Sequence, residues 1–353
     1  GGVDSSVAAA LLKEEGYQVI GMTMQIWPRN GQSHEADESG SRRGTDATQD
    51  AKSIACKLGI PHHVMDFRDT FAQKVIADFC REYSLGRTPN PCIRCNQYIK
   101  FGVLLQRARE LDADFMATGH HARIERDKTA TAHFLKKGVD QNKDQSYFLY
   151  SLNQEQLSHT LLPIGNLSKD RVREMARESG LSIANKPESQ EICFIPDDDY
   201  ARFLKDYIPQ ADKPGPILDE QGNILGSHRG ILHYTIGQRK GLGISTKEPS
   251  YVISIEPERQ AIVVGSKKAA YGNELIASGL NWITITRLEK PILAKAKIRY
   301  RHQEVEVEIT PMDEYKVYVK FKEPQLAITP GQAIVFYDGD TVIGGGTIEQ
   351  ARR

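Results

Sequence analysis

The first half of the chain alternates short apolar runs with segments in which apolar residues recur at helical spacing. The runs predict strands at 19–24, 63–67 and 115–118, and the periodic segments predict helices at 48–58, 71–83 and 103–111. Alternating strands and helices imply crossover connections, and therefore a parallel sheet covered on both faces. Ligands of such sheets lie at the carboxyl ends of the strands, where Gly1, Met24 and Gly119 fall.

The pattern changes near Pro209. From Gly215 onward, glycines and short alternating segments predominate, separated by turn signals such as those at 220–223 and 337–340. A further break falls near Tyr271. We therefore predict an α/β parallel-sheet domain followed by two small β-rich domains, with boundaries at 1–208, 209–271 and 272–353. The polar, glycine-rich residues 29–47 are predicted to form a mobile loop.

Charge and cysteine usage narrow the class of protein. The 353 residues carry 46 basic and 46 acidic side chains, so a nucleic-acid site must be a local patch rather than a global field. No run of 18 uninterrupted apolar residues occurs, which argues against a membrane span. Five cysteines, an odd number in a large chain, fit a reducing compartment, and the cytoplasm is the expected location.

The first candidate functional motif lies at the start of the sequence. Gly1-Gly2-Val3-Asp4-Ser5-Ser6 leads directly into 7–12, an apolar run at helical spacing. Glycine lets the backbone approach an anion, and the first N–H groups of a helix point at it. A carboxylate among them suits a divalent metal that accompanies phosphates. The pattern is not a Walker A loop, and a tight turn capped by serine or aspartate is the alternative without a ligand.

A second candidate site is Thr88-Pro89-Asn90-Pro91-Cys92-Ile93-Arg94-Cys95-Asn96, where two cysteines at CxxC spacing follow two prolines. This spacing suits a redox pair or two metal ligands, and half-buried structural thiols are the alternative. Arg94, with a helix predicted to begin near Asn96, would lower the pKa of both thiols and favour thiolates.

The other three cysteines are interpreted differently. Cys193 lies in a short apolar segment after the polar, proline-marked residues 186–188, which by itself is typical of a core cysteine. Beside a phosphate loop and a CxxC motif, it becomes the third member of a thiol set. Cys56 and Cys80 fall inside predicted amphipathic helices, and we predict that both belong to the core.

Polar segments of the first half could contact a ligand. His120 and His121 follow a predicted strand end without an acid or cysteine at ligand spacing, so we expect substrate contact or packing rather than metal binding. The polar run 142–147 is either a capping loop with Asp144 as the cap or a site for phosphate and a base edge.

One basic segment of the second half alternates strictly over 294–301. Period two places its basic residues on one face of a strand, either as a solvated face or as an anion stripe for a phosphate backbone. These residues are Lys295, Lys297, Arg299 and Arg301.

Six motifs, in order along nearly the whole chain, together resemble one family. They are the opening loop 1–6, T-P-N-P-x-x-x-C-N at 88–96, A-T-G-H at 117–120, K-D-Q-S-Y at 143–147, I-C-F-I at 192–195 and I-G-Q-R-K-G-L-G at 236–243. The opening is similar to the S-G-G-x-D-S-S loop of the ATP pyrophosphatases. Its leading serine and feeding strand would precede residue 1, so we expect a chain truncated at this end. The set resembles the bacterial tRNA-uridine 2-sulfurtransferases, the tRNA-specific 2-thiouridylases of the MnmA/TrmU family.

The resemblance implies a fold and a reaction. The family has a PP-loop domain, related to the adenine nucleotide α-hydrolases, then a small central β domain and a C-terminal β-barrel-like domain that binds tRNA. Its reaction thiolates C2 of the wobble uridine, U34, in the tRNAs for Lys, Glu and Gln. It uses ATP with Mg²⁺ and a sulfur-relay donor protein, without a membrane. ATP is needed because a pyrimidine C2 oxygen is a poor leaving group, whereas its adenylate leaves as AMP.

The resemblance also implies roles for individual residues. Cys193 would carry a persulfide, and Cys95 would cleave its S–S bond, leaving a Cys95–Cys193 disulfide to be reduced. Asn90, Pro91 and Cys92 match the segment around the flipped target base. The ATP phosphates would be bound by Gly1, Gly2, Val3, Asp4, Ser5 and Ser6, with Met24 and Gly119 near the adenosine. Further tRNA contacts are implied for His120, Lys143, Asp144, Gln145, Arg299, Tyr300 and Gln332.

One position departs from the family pattern. Cys92 stands where the best-known members have an aspartate with general-base or orienting work, a task that a thiolate performs less well. Cys92, Cys95 and Cys193 would also supply three thiolates to a [4Fe–4S] cluster that delivers sulfide from an open iron. This route is the alternative to the persulfide relay.

Two other classes of function are also consistent with the sequence. One is an ATP pyrophosphatase that adenylates a small molecule, which has no use for three thiols or a basic stripe. The other is a non-catalytic RNA-binding or metal-binding protein with a degenerate loop, and the intact Asp4, Ser5 and Ser6 speak against it.

Overall fold

The computed structural model describes residues 2–27, 43–127, 132–184, 186, 192–195 and 199–352. The chain divides into two units. The first comprises Gly1–Val75, Cys92–Pro196 and Asp340–Val342, and the second comprises Ile76–Pro91, Asp197–Gly339 and Ile343–Arg353. The predicted nucleotide-binding residue Gly1 and most of the predicted loop at 29–47 lie outside the described residues.

The helices of the described residues are α1 (Val3–Glu14), α2 (Arg43–Leu58), α3 (Arg68–Phe71), α4 (Ala77–Ser84), α5 (Pro91–Arg94), α6 (Leu105–Glu110), α7 (Gln154–Ser158), α8 (Lys169–Glu178) and α9 (Tyr200–Tyr207). Ala72–Ile76 and Cys95–Leu104 are π-helical, and each continues the α-helix before it. Single turns of 3₁₀ helix occur at Ser146–Phe148, Pro209–Ala211, Ile231–His233, Pro257–Arg259 and Lys268–Ala270.

The strands of the described residues are β1 (Gly21–Gln25), β2 (His62–Asp66), β3 (Met116–Ala117), β4 (Ala122–Arg126), β5 (His133–Lys137), β6 (Thr160–Leu161), β7 (Gly215–Leu218), β8 (Ile224–His228), β9 (Tyr251–Glu256), β10 (Ala261–Gly265), β11 (Tyr271–Trp282), β12 (Ile292–Lys297), β13 (Val305–Pro311), β14 (Lys316–Leu326), β15 (Ala333–Asp338) and β16 (Thr341–Arg352).

Within the described residues, the first unit contains two parallel strand pairs, as predicted, and an antiparallel pair formed by β4 and β5. β1 pairs with β2 from Gly21↔His62 to Gln25↔Asp66, and β3 pairs with β6. Met24 lies near the carboxyl end of β1, and Gly119 follows β3 by two residues. The apolar faces of α1, α2 and α8 share one core, whose buried members are Val3, Val7, Ala8, Ile54, Ile164, Val172, Ala176, Leu181, Ile183 and Ala184.

Two sequence predictions in this unit are wrong. α2 begins at Arg43, so the last residues of the predicted loop 29–47 are helical. Cys56 is exposed rather than in the core, because Ile54 and Ala55 carry the buried stripe of α2 and the next residue is turned about 100° around the helix. Cys80 is buried, as predicted.

The second unit is rich in β structure from Gly215, as predicted. β8, β7, β10 and β9 form a four-stranded sheet in that order, with β7 and β10 parallel. The order β11-β14-β13-β12-β15-β16 closes into a six-stranded barrel, because β11 also pairs with β16. Closure removes free edges. The barrel core contains Leu275, Ala277, Leu288, Ala296, Ile298, Val307, Ile309, Val317, Val319, Phe321, Ile328, Ile334, Phe336, Ile343 and Ile348.

The predicted basic stripe is shorter than the sequence pattern suggests. β12 ends at Lys297, so Arg299 and Arg301 lie in the following turn rather than on the strand face. Lys297 is largely buried, with its Nζ 3.7 Å from Glu304 Oε1 and 5.5 Å from the centre of the Tyr337 ring. The Lys297 cation is therefore held within the barrel itself.

Candidate active site

The opening loop forms the N-terminal end of α1. Gly2 is the extended N-cap residue, and no side chain caps this end of the helix. Ser5 Oγ and Ser6 Oγ both donate to the Gly2 carbonyl oxygen, at 3.1 and 2.9 Å. The first backbone N–H groups of a twelve-residue helix are therefore presented together, which is the arrangement that binds phosphate.

Asp4 in this loop is paired with a lysine from a distant part of the sequence. Lys169 Nζ donates to Asp4 Oδ1 at 2.7 Å and to Oδ2 at 2.8 Å, and His121 Nε2 lies 3.4 Å from Oδ1. Burial opposes ionisation of Asp4, but the hydrogen bonds and charges of His121 and Lys169 outweigh it, so the pKa of Asp4 is lowered. Asp4 is thus a carboxylate at neutral pH.

Gly119 fixes the position of the loop relative to β3. A Cβ at this residue would lie 2.5 Å from the Asp4 carbonyl carbon and from the Ser5 nitrogen, which is closer than real Cβ contacts. Only glycine lets the strand end approach the loop backbone so closely. The predicted nucleotide residues Gly119 and Asp4 are therefore in contact.

Three cysteines form a thiol cluster, composed of Cys92, Cys95 and Cys193. Cys92 and Cys95 lie three positions apart on the continuous helix that begins at Pro91, and both interact electrostatically with Cys193. The helix begins earlier than predicted, since Pro91 suits a first helical position. All five cysteines of the chain lie within the described residues, and each is a thiol.

The thiol pKa values are shifted in the direction opposite to that predicted. Desolvation by the surrounding protein raises the pKa of Cys92 and Cys95, and it raises that of Cys193 to about 12, although Cys92 and Cys193 also reach solvent. The Lys100 ammonium acts against this effect at all three thiols. The cation that favours thiolates here is Lys100 rather than Arg94, whose Nη1 donates to Gln97 Oε1 at 3.1 Å.

His120 connects Lys100 to the strand end. Its Nε2 lies 3.4 Å from Lys100 Nζ, and its Nδ1 lies 2.8 Å from Thr118 Oγ1. An ammonium group only donates, so Nε2 accepts and Nδ1 carries the proton. Burial, with the Lys100 charge second, lowers the pKa of His120 well below its usual value. His120 is a buried, neutral residue of fixed tautomer.

The segment 143–145 supports the same strand end. Asp144 is buried and accepts from Gly138 N, Ser146 N and Ser146 Oγ, each at 3.0 Å, so it caps the turn that follows. Gln145 Oε1 accepts from His121 N at 3.0 Å. The side chains of Asp144 and Gln145, both implied in tRNA contact, therefore bond to the protein itself.

Asn90, Pro91, Arg299, Tyr300 and Gln332 belong to the second unit. Gln332 Nε2 donates to the Thr88 carbonyl oxygen at 2.7 Å, so this side chain bonds to the segment that precedes Asn90. Arg299 Nη2 donates to the Leu326 carbonyl oxygen at 2.8 Å, and Tyr300 is half-buried in the turn after β12.

Sequence reasoning missed Lys169 and Lys100. Lys169 is the first residue of α8, where a cation is unfavourable beside the positive end of the helix dipole, and it is 6% exposed. A buried lysine at such a position needs an anion, but its burial cannot be read from the sequence, so no local signal pointed to Lys169. No local sequence pattern pointed to Lys100, because its effect depends on the three thiols and the histidine that the fold places around it.

A metal centre is not built into the described residues. Among them, no group of three or more His, Cys, Asp or Glu side chains is arranged to hold a metal ion. Within the same residues, every helix is too short or too polar to cross a membrane.

Three family models match the chain in succession. The tRNA methyl transferase HUP domain matches residues 1–197, the tRNA methyl transferase PRC-barrel domain matches 201–266, and the aminomethyltransferase beta-barrel domain matches 272–348. A solved structure of a predicted tRNA methyltransferase subunit from Methanocaldococcus jannaschii covers 50% of this chain and 72% of its own, at 19% identity. Its TM-score of 0.28 is too low to support a fold assignment.

Relatives of known name match the chain over its whole length. The tRNA-specific 2-thiouridylase MnmA of Acetivibrio thermocellus is 52% identical, over 99% of this chain and 97% of its own. The enzyme of the same name from Heliobacterium modesticaldum is 53% identical, over 99% of this chain and 90% of its own. MnmA 2 of Caldanaerobacter subterraneus is 52% identical, over 100% of this chain and 97% of its own. With this identity along its whole length, the chain belongs to the MnmA family of tRNA-specific 2-thiouridylases.

Proposed function

We propose that this protein uses ATP to thiolate C2 of the wobble uridine in the tRNAs for Lys, Glu and Gln, with sulfur carried as a cysteine persulfide. The observation that carries the proposal is the short path between the phosphate loop and the thiol cluster. Gly119 packs on Asp4 and Ser5, and His120 contacts Lys100, whose charge acts on all three thiols. Methyl transfer, the reaction in the name of the matching family model, has no use for a phosphate loop beside three thiols.

The phosphate loop would activate the base. Uridine O2 attacks the α-phosphorus of ATP, pyrophosphate leaves, and C2 then carries an adenylate that departs as AMP. The N–H groups at the start of α1 and the Lys169 ammonium would bind phosphate oxygens. Asp4 would hold a Mg²⁺ ion, which takes one or two carboxylates besides phosphate and water oxygens and neutralises phosphate charge.

Sulfur transfer would follow as a balanced exchange at the thiol cluster. A relay donor passes its terminal sulfur to Cys193, which becomes Cys193–S–SH while the donor keeps a thiol. The Cys95 thiolate attacks Cys193 Sγ, so a Cys95–Cys193 disulfide forms and hydrosulfide leaves. Hydrosulfide attacks C2 and expels AMP, and a dithiol reductant restores both thiols.

Lys100 would promote this exchange. The raised pKa values keep the thiols protonated at neutral pH, and a thiolate is the attacking species. An adjacent ammonium stabilises the thiolate as it forms, and the neutral Nε2 of His120 holds that ammonium in place. Gln145, through the backbone of His121, supports the same strand end.

The remaining parts of the proposal concern partners and organisation. We assign the nucleotide and thiol chemistry to a domain at 1–208, a central β domain to 209–271 and tRNA binding to the barrel at 272–353. A sulfur-relay protein would supply the persulfide. The reaction would take place in the cytoplasm, where tRNA and reduced thiols are found together.

The proposal is tested with anaerobically purified protein, ATP with Mg²⁺, an unmodified tRNA-Lys transcript and a protein persulfide donor. We expect 2-thiouridine and AMP to form together and to depend on the tRNA. AMP formed equally without tRNA would instead indicate adenylation of a small molecule, and no AMP under any condition would indicate a degenerate loop.

Cys92→Asp separates the persulfide route from an iron–sulfur cluster. We expect this variant to keep 2-thiouridine formation from the persulfide donor and to contain no iron, because an aspartate restores the orienting group of the family pattern. A carboxylate is a poor substitute for a thiolate on a cluster iron. Iron content and thiolation are measured side by side, with Cys56→Asp as the matched control at an exposed cysteine.

The cluster hypothesis gives the opposite result in the same experiment. Wild-type protein would then contain iron and acid-labile sulfide and be brown. Cys92→Asp would lose the iron, the colour and turnover together, while Cys56→Asp would retain all three.

The basic residues after β12 should carry phosphate contacts. We expect the double variant Arg299→Gln, Arg301→Gln to bind all substrate tRNAs more weakly and to the same extent. The slope of log K against log salt concentration should become shallower by about one unit per lost phosphate contact. Lys297→Gln is the matched control, because Lys297 is held by Glu304 and Tyr337 and its loss should leave the slope unchanged. Filter binding over a range of salt concentrations measures the slopes, and equal slopes for all variants would contradict the assignment.

A further inference from the structure

Residues 86–89, here called the junction segment, connect α4 to Asn90 and the start of α5. The two prolines at 89 and 91 restrict the backbone on either side of Asn90. A chain with so little freedom transmits the position of its first residues to the helix that follows. Whatever holds the junction segment therefore helps to set the direction in which α5 begins.

The early part of the junction segment is fixed by close packing and charge. At Gly86, where φ is +67°, a Cβ would lie 2.9 Å from Ile255 Cγ2, so only glycine fits without displacement. Arg87 forms ion pairs with Glu82 at 2.7 Å and with Glu349 at 2.6 Å. Its Nη2 also donates to the Ile348 carbonyl oxygen at 3.3 Å.

The later part of the junction segment is held by the loop that precedes β15. Thr88 N donates to the Pro330 carbonyl oxygen at 2.9 Å. In the opposite direction, Gln332 Nε2 donates to the carbonyl oxygens of Thr88 at 2.7 Å and of Pro89 at 3.4 Å. A side-chain amide nitrogen has two N–H groups, so the Gln332 side chain can donate to both carbonyls.

Gln332 is itself rigidly placed by the barrel. Its backbone N–H donates to the Thr329 carbonyl oxygen at 3.2 Å, and its carbonyl oxygen accepts from Ile348 N at 2.8 Å. Ile348 lies in β16 and is fully buried in the barrel core. The amide therefore acts as a brace between a fixed strand and the junction segment.

We propose that Gln332 is a positioning residue for sulfur transfer: its amide fixes the carbonyls of Thr88 and Pro89 and thereby orients Asn90 and the start of α5 at Pro91. This inference rests on the proposed function, and it assigns Gln332 a role other than the tRNA contact that the sequence resemblance implies. A residue that binds tRNA lowers affinity when it is removed, whereas a positioning residue lowers the rate of the bound complex.

The test compares Gln332→Met, which removes both donors at similar volume, with Gln332→Lys, which restores a donor. The matched control is Gln350→Met, an exposed glutamine on β16. We expect Gln332→Met to lower kcat for 2-thiouridine roughly 10- to 100-fold, as a misplaced reacting group does, without changing the Kd for tRNA. Gln332→Lys should recover part of kcat, and the control should match the wild type.

Amide hydrogen exchange provides a readout that does not depend on activity. In the tRNA-free protein, Gln332→Met should accelerate exchange in the peptides that cover 86–95, and Gln350→Met should not. An unchanged exchange rate would overturn the brace, and so would a weaker Kd for tRNA with kcat unchanged. Failure of the wild-type protein to make 2-thiouridine would reject the proposed function, while the exchange result would still decide whether the brace exists.

Discussion

Cys193→Ser and Cys95→Ser should each abolish 2-thiouridine formation. A serine hydroxyl cannot hold a persulfide at position 193, and at position 95 it cannot attack one to release hydrosulfide. Because the phosphate loop is untouched, both variants should still release AMP in the presence of tRNA. We therefore expect a loss of product below detection together with continued AMP formation, measured on the same reaction by mass spectrometry and by nucleotide chromatography.

The controls for this result are the two cysteines outside the cluster. Cys56→Ser lies on the exposed face of α2 and should thiolate at the wild-type rate. Cys80→Ala should also be active, although its removal from a buried site will cost some stability. Undiminished thiolation by Cys193→Ser would reject the persulfide assignment, whatever the behaviour of Cys95.

Asp4→Asn should remove AMP formation while it leaves tRNA binding nearly intact. The substitution keeps the shape of the side chain but removes the charge that a metal ion and Lys169 both need. We expect a loss of about 10²–10³ in the rate of AMP release, the scale that removal of one charge-stabilising group produces in an active site. Nucleotide release and filter binding to tRNA measure the two quantities separately.

Asp170→Asn is the matched control for this prediction. Asp170 is the neighbour of Lys169 on the exposed face of α8, so its loss changes the net charge equally without touching the loop. Wild-type AMP release by Asp4→Asn would reject the loop assignment. Thermal unfolding of both variants distinguishes a local loss from a folding defect, since breaking the Asp4–Lys169 pair leaves a largely buried ammonium without its carboxylate.

Much of the fold was predicted correctly from local patterns in the sequence. The alternation of apolar runs and helical spacing correctly predicted parallel strands in the first half and β structure from Gly215, because periodicity reports which face of an element is buried. The loop at 1–6 and the thiols at Cys92, Cys95 and Cys193 were predicted to be functional because their residue types carry the chemistry themselves. The sequence alone thus determined the class of fold and predicted the chemical groups of the proposed site.

Tertiary structure decided how those groups behave. Lys169 reaches Asp4 across 165 residues of sequence, and no local pattern predicts such a contact. The thiol pKa values rise because the folded chain desolvates the cluster, whereas spacing and neighbouring charges alone had suggested the reverse. The side chains of Lys297 and Gln332 are of types that contact RNA. In the folded protein, however, the Lys297 ammonium lies beside Glu304, and the Gln332 amide donates to the Thr88 carbonyl. Burial and long-range contact set the energy of a charge or a hydrogen bond, and they exist only after the chain has folded.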